Sequence, residues 1–96
     1  MEKDTAKPLA FFARVKGRVQ GVGFRYSAVR EAERLGIYGW VRNAYDGGVE
    51  VWAEGPTDKL SRFLAWLRKG SQFSRVISVE KDEKEPKGYS EFIVEY

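Results

Sequence analysis

Two segments carry apolar residues at helical spacing, and they are set among runs in which apolar and polar residues alternate. Taken in order they predict an α+β fold of the form βαββαβ, the split-βαβ or ferredoxin-like arrangement, with an additional short C-terminal strand. Two helices would cover one face of an antiparallel or mixed sheet and leave the other face open. Size agrees: 96 residues, 43% of them hydrophobic, suffice for one modest core and are too few for two. We therefore expect a single domain over 9–96, preceded by a flexible polar tail over 1–8.

The first strand is expected from Leu9 to Lys16, where Leu9, Phe11, Ala13 and Val15 alternate with Ala10, Phe12, Arg14 and Lys16. In the first helix Phe24, Ala28, Val29, Ala32 and Leu35 share a face, Arg30, Glu31, Glu33 and Arg34 supply the wet side, and Gly36 is placed to end it. A second strand from Ile37 to Asn43 puts Gly39, Val41 and Asn43 on one face and Tyr38, Trp40 and Arg42 on the other. Tyr45-Asp46-Gly47-Gly48 reads as a hairpin turn into a third strand from Val49 to Glu54. Gly55-Pro56-Thr57-Asp58 opens the second helix, which Leu60, Phe63, Leu64 and Leu67 stripe and Gly70 stops. Val76 to Lys81 and Glu91 to Tyr96 are further strands, joined by the polar connection Asp82–Tyr89. In this topology the first and second strands run parallel with the third between them; where the last two sit is left open.

Composition removes several chemistries. With no histidine and no cysteine, there is no His base, no phosphohistidine or phosphocysteine intermediate, no disulfide and no Cys-type zinc site. No cluster of carboxylates suggests a catalytic metal, so neither metal nor cofactor is expected. No apolar run approaches the ~20 residues of a membrane span, and no apolar segment follows Met1. A net charge of +3 suits a small anionic ligand and is too weak to argue for duplex DNA. The default is a cytoplasmic monomer.

Between the first strand and the first helix lies Gly17-Arg18-Val19-Gln20-Gly21-Val22-Gly23-Phe24-Arg25. Glycines tolerate φ > 0 and let a backbone close on a ligand, so such a loop can turn successive N–H groups toward one point. The helix N-terminus adds unpaired N–H groups and partial positive charge, and Arg25 can lay its fork over the same point. The candidate phosphate-binding set is therefore Arg18, Val19, Gln20, Gly21, Val22, Gly23 and Arg25. The alternative is a glycine-rich turn beside a surface arginine. Neither a Walker A loop nor a G-x-G-x-x-G fingerprint is present. Parity on the second strand directs Asn43 to the helix-covered face near Arg25, although an asparagine here could equally cap the hairpin.

Val15-x-Gly17-x-Val19-Gln20-Gly21-Val22-x-Phe24-Arg25 resembles the first signature of the acylphosphatase family. Gly39-Trp40-Val41-Arg42-Asn43-x-x-x-Gly47-x-Val49, followed by Gly55, resembles the second. The likeness runs from about Leu9 to Tyr96. It implies hydrolysis of small acyl phosphates to carboxylate and inorganic phosphate, with the 18–23 loop and Arg25 on the phosphate and Asn43 orienting the attacking water. Inorganic phosphate or sulfate would compete as anions. The chemistry is consistent, because the leaving group of a carboxyl–phosphate anhydride is a stable carboxylate that needs neither acid nor metal. Gln20 reads as a loop-bracing hydrogen bonder, and Arg14, Arg18 and Arg42 as surface charges.

A rival of another class comes from Phe12, Tyr38, Trp40 and Trp52, which share the open face with Arg14 and Arg42. Aromatic and basic residues on a βαββαβ sheet are how RNA-recognition motifs stack bases. The third strand lacks the RNP1 pattern and carries Glu50 and Glu54, which argues against nucleic acid as a partner.

Overall fold

In the computed structural model, which describes residues 8–96, the elements are β1 (Pro8–Arg18), α1 (Phe24–Leu35), β2 (Tyr38–Asn43), β3 (Val49–Pro56), α2 (Thr57–Lys69), β4 (Arg75–Lys84) and β5 (Phe92–Val94). The expected tail lies outside the described residues except for Pro8, with which β1 begins. The single sheet has the order β4-β1-β3-β2-β5. β3 is antiparallel to both β1 and β2, so those two run parallel, as the topology requires. β4 takes the free edge of β1 in antiparallel sense, and β5 lies parallel to β2.

β1 is longer than its alternation suggested, continuing through Gly17 and Arg18, which pair with Val76 and Arg75 beyond a register shift at Lys16/Gly17. A Cβ on Gly17 would come within 2.1 Å of the Arg75 carbonyl oxygen. This glycine therefore serves the bulge between β1 and β4, and the left-handed positions of the loop before α1 fall on Gly21 and Gly23. β4 likewise extends into the charged run to Lys84, because an edge strand is held by its ladder to β1 and needs no buried side-chain row.

Both helices pack on one face. Phe11, Ala13, Val15, Val41, Val49, Val51 and Ala53 from the sheet meet Phe24, Ala28, Ala32 and Leu35 of α1 and Leu60, Phe63 and Leu67 of α2. Gly36 ends α1 in the left-handed region at φ 79°, its N–H turned back to the carbonyls of Ala32 and Glu33.

The other face is closed over its centre. Cross-strand register sets Phe12, Trp52 and Trp40 in one row, and the two indoles are only 7% and 8% exposed. The Arg42 guanidinium lies 4.5 Å from the Trp40 ring centre and the Lys87 ammonium 4.5 Å from that of Trp52. An RNA base would have to displace Arg42 to reach Trp40 and Lys87 to reach Trp52, so the two indoles do not form the open platform that the alternation suggested, and of the four aromatics Tyr38 remains exposed. Glu54, 4% exposed, anchors the polar connection over this face. Its carboxylate accepts the Trp52 indole N–H and the backbone N–H groups of Lys87, Gly88 and Tyr89. Burial pushes that carboxyl up, but the four donors more than offset it and hold it below its ordinary value.

Candidate active site

β1 delivers the chain to Arg18, and α1 receives it at Phe24 with Gly23 as N-cap. Gly21 and Gly23 stand at φ 74° and 78°, and a Cβ at either would meet nothing within 4 Å. Their requirement for glycine is therefore conformational, since a side chain in the left-handed region costs ~1–2 kcal/mol. α1 has no side-chain cap and no acidic residue in its first turn. Among the described residues, none of the backbone N–H groups from Gln20 to Tyr26 donates to another protein group. Ser27 is the first residue of this segment whose N–H is committed, to Gly23 O at 3.1 Å. Unpaired N–H groups at the positive end of a helix have the chemistry to receive an anion.

Arg25 projects from the first turn of α1 into a cleft of about 690 Å³ whose wall includes Arg42, Asn43, Ala44, Tyr45, Glu50, Glu95 and Tyr96. The structure thus brings Arg25 and Asn43 to one cavity. The two arginines in it differ in their partners. Arg42 is bound to Glu50 at 2.9 Å and to Glu95 at 3.7 Å. Glu50 also receives Arg14 at 3.7 Å, so a ladder of alternating charge crosses the sheet here. Arg25 has no carboxylate within 4 Å among the described residues; its guanidinium lies 5.5 Å from the Tyr96 ring centre. The cation left available to an incoming anion is Arg25.

The other expected site residues divide. None of the loop residues 18–23 is among those lining this cleft, and Arg18 is exposed at the last position of β1. Val19 sends its side chain into the core, and Val22 packs against it, so both have only their main chains to offer a ligand. The Gln20 carboxamide is turned away from the loop, donating to Ala44 O at 2.9 Å and Gly48 O at 2.8 Å. Arg42, Glu50, Tyr45, Glu95 and Tyr96 are cleft residues that sequence reasoning missed. The hairpin register pairs Arg42 with Glu50 across the turn, a signal already present in the spacing. Glu95 and Tyr96 carried no such signal, since their place depends on β5 docking beside β2. Among the described residues no group of three or more His, Cys, Asp and Glu side chains could hold a metal ion.

Comparison with known proteins addresses the same span. The family model described as acylphosphatase matches residues 11–94. The chain belongs to the acylphosphatase family. It is 47% identical over 81 residues to an acylphosphatase of Thermococcus kodakarensis, covering 84% of this chain and 89% of that protein. It is 51% identical over 81 residues to an acylphosphatase of Bacillus velezensis, covering 83% and 90% respectively. The crystal structure of acylphosphatase from Bacillus subtilis superimposes with a TM-score of 0.89 at 42% identity, over 92% of this chain and 99% of that one. The acylphosphatase-family fold is thus present in full between β1 and β5, and both signature stretches lie within it. No helix among the described residues is long and apolar enough to cross a membrane.

Proposed function

We propose that this acylphosphatase-family enzyme hydrolyses small acyl phosphates by binding the phosphoryl group on the loop amides and Arg25 and holding the attacking water on Asn43. The observation that carries the assignment is the meeting of Arg25 and Asn43, from separate elements, in one cleft beside a helix start rich in unpartnered N–H groups. The donors of the 20–23 loop and the Arg25 fork neutralise the phosphate and spread the charge that develops on its equatorial oxygens. Asn43, which both donates and accepts through its amide, orients one water in line with the bond to be broken. The water oxygen bonds to phosphorus, the phosphorus–oxygen bond to the acyl group breaks with its electron pair leaving on the carboxylate, and the water's proton passes to a phosphate oxygen. Nothing in this sequence requires a protein acid, because the carboxylate leaves unprotonated.

The same donors would take inorganic phosphate or sulfate as competing anions. Arg18, exposed at the end of β1, contributes to the field around the loop rather than to a contact. We take the enzyme to be a cytoplasmic monomer with its domain over 9–96.

The test compares acetyl phosphate with a phosphate monoester on purified protein, in wild type and Asn43→Ala. Acetyl phosphate should turn over and the monoester hardly at all. Asn43→Ala should leave KM nearly unchanged and lower kcat by about 10²-fold or more. Equal turnover of both substrates would sink the substrate class; a rise in KM with kcat intact would reassign Asn43 to structure.

A further inference from the structure

We propose that Gln20 is a positioning residue: its carboxamide clamps the phosphate loop to the hairpin that follows Asn43 and so sets the distance between the bound phosphoryl group and the attacking water. This rests on the roles assigned to Arg25 and Asn43 above. The loop from Val19 to Gly23 lies between β1 and α1, outside the ladder of paired strands. Asn43, in contrast, is held in the ladder opposite Val49. Phosphate site and water site therefore belong to different parts of the fold, and in-line attack requires their separation to be constant.

The Gln20 side chain makes that connection. Both hydrogens of its one amide nitrogen are used, on Ala44 O at 2.9 Å and Gly48 O at 2.8 Å, 24 and 28 residues away. These two carbonyls also close the hairpin. Gly48 O accepts the Ala44 N–H at 2.9 Å, and Ala44 O accepts the Gly47 N–H at 3.3 Å. Asp46 Oδ1 accepts the Gly48 N–H at 2.9 Å, which makes the turn a compact unit. Ala44 is the residue after Asn43, so a displacement of this unit is transmitted to the catalytic amide through one peptide. Only a side chain with two hydrogens on one nitrogen, at this length, satisfies both carbonyls; Glu offers acceptors, and Leu or Met offers nothing.

Three measurements decide the matter, each made well below the melting temperature of the variant concerned. Gln20→Met should lower kcat for acetyl phosphate by about 10- to 100-fold, because a misplacement near 1 Å is enough, while KM and inhibition by inorganic phosphate move less than about threefold. In the Asn43→Ala background the same substitution should cost less than about threefold, since the residue through which it acts is gone. Gln20→Glu should acquire a limb in the kcat–pH profile that wild type lacks, with kcat recovering as pH falls. Only a protonated carboxyl can donate to a carbonyl, and the two carbonyls and the neighbouring Asp46 carboxylate raise the pKa of the introduced group, with Lys16, 4.0 Å from Asp46, opposing them in part. Full additivity with Asn43→Ala, or a Gln20→Glu profile as flat as wild type, would overturn the proposal. If wild type itself does not hydrolyse acetyl phosphate, the functional assignment fails and the positioning role falls with it, an outcome distinct from an active wild type whose Gln20 variants behave additively.

Discussion

Replacing Glu54 by glutamine exchanges one oxygen for an amino group, and the hydrogen-bond pattern makes the cost calculable. One carboxylate oxygen accepts Trp52 Nε1–H and Lys87 N–H, and the other accepts Gly88 N–H and Tyr89 N–H. Whichever way the amide turns, its NH₂ meets two donors, so two charge-assisted bonds are lost at ~1.5–3 kcal/mol each. Removing a buried charge recovers part of this, which places the net destabilisation near the low end, about 3 kcal/mol. For a domain of this size that corresponds to a fall in Tm of about 12–24 °C. The pH dependence has a definite sign. The folded-state pKa of Glu54 lies below its unfolded value, so its contribution is complete above ~4.3 and is lost as pH falls through the folded value. Urea unfolding at pH 7 and pH 3 should show a wild-type advantage that is large at neutrality and shrinks in acid. Activity should be spared, because Glu54 pairs with Tyr38, at the end of the ladder away from Asn43–Val49 and about 17 Å along β3. Equal stabilities at pH 7, or an advantage that grows in acid, would refute the account of this carboxylate.

Arg25→Ala should raise KM and lower kcat together, and Arg25→Lys should rescue only in part because a point charge does not replace the planar fork; full recovery by lysine, read from steady-state rates, would contradict a bidentate role. Strong chelators should leave the rate unchanged, and added magnesium should slow it by competing for the substrate phosphate; loss on chelation with recovery on adding a divalent ion would rule out the metal-free mechanism. Wild-type kcat should be nearly flat from about pH 5 to 8, since the chain has neither histidine nor cysteine and Asn43 does not titrate. A limb near neutrality would mean that a titrating protein group is catalytic.

Much of this molecule is written in local stereochemistry. Alternation in β1 and β3, the helical stripes of α1 and α2, and Gly36 and Gly70 at their ends are properties of a few adjacent residues; the helices and their stops lie where spacing puts them, and the two strands run on past it to Arg18 and Pro56. Period 2 alone placed Asn43 on the helix-covered face, and the loop glycines placed Arg25 in the first turn of a helix. The two signatures carried the family. Local pattern could not say that Gly17 belongs to a β-bulge, because the colliding carbonyl is that of Arg75 on another strand. Nor could it close the aromatic face, where the burial of Trp40 and Trp52 comes from Arg42, Lys87 and the connection that Glu54 anchors. Alternation tells which way a side chain points, whereas burial depends on what the rest of the chain lays over it. The same division holds in the cleft: residue types and spacing named Arg25, Asn43 and Gln20, but only the pairing of β1, β3 and β2 brought the Gln20 amide within 2.9 Å of the carbonyl beside Asn43.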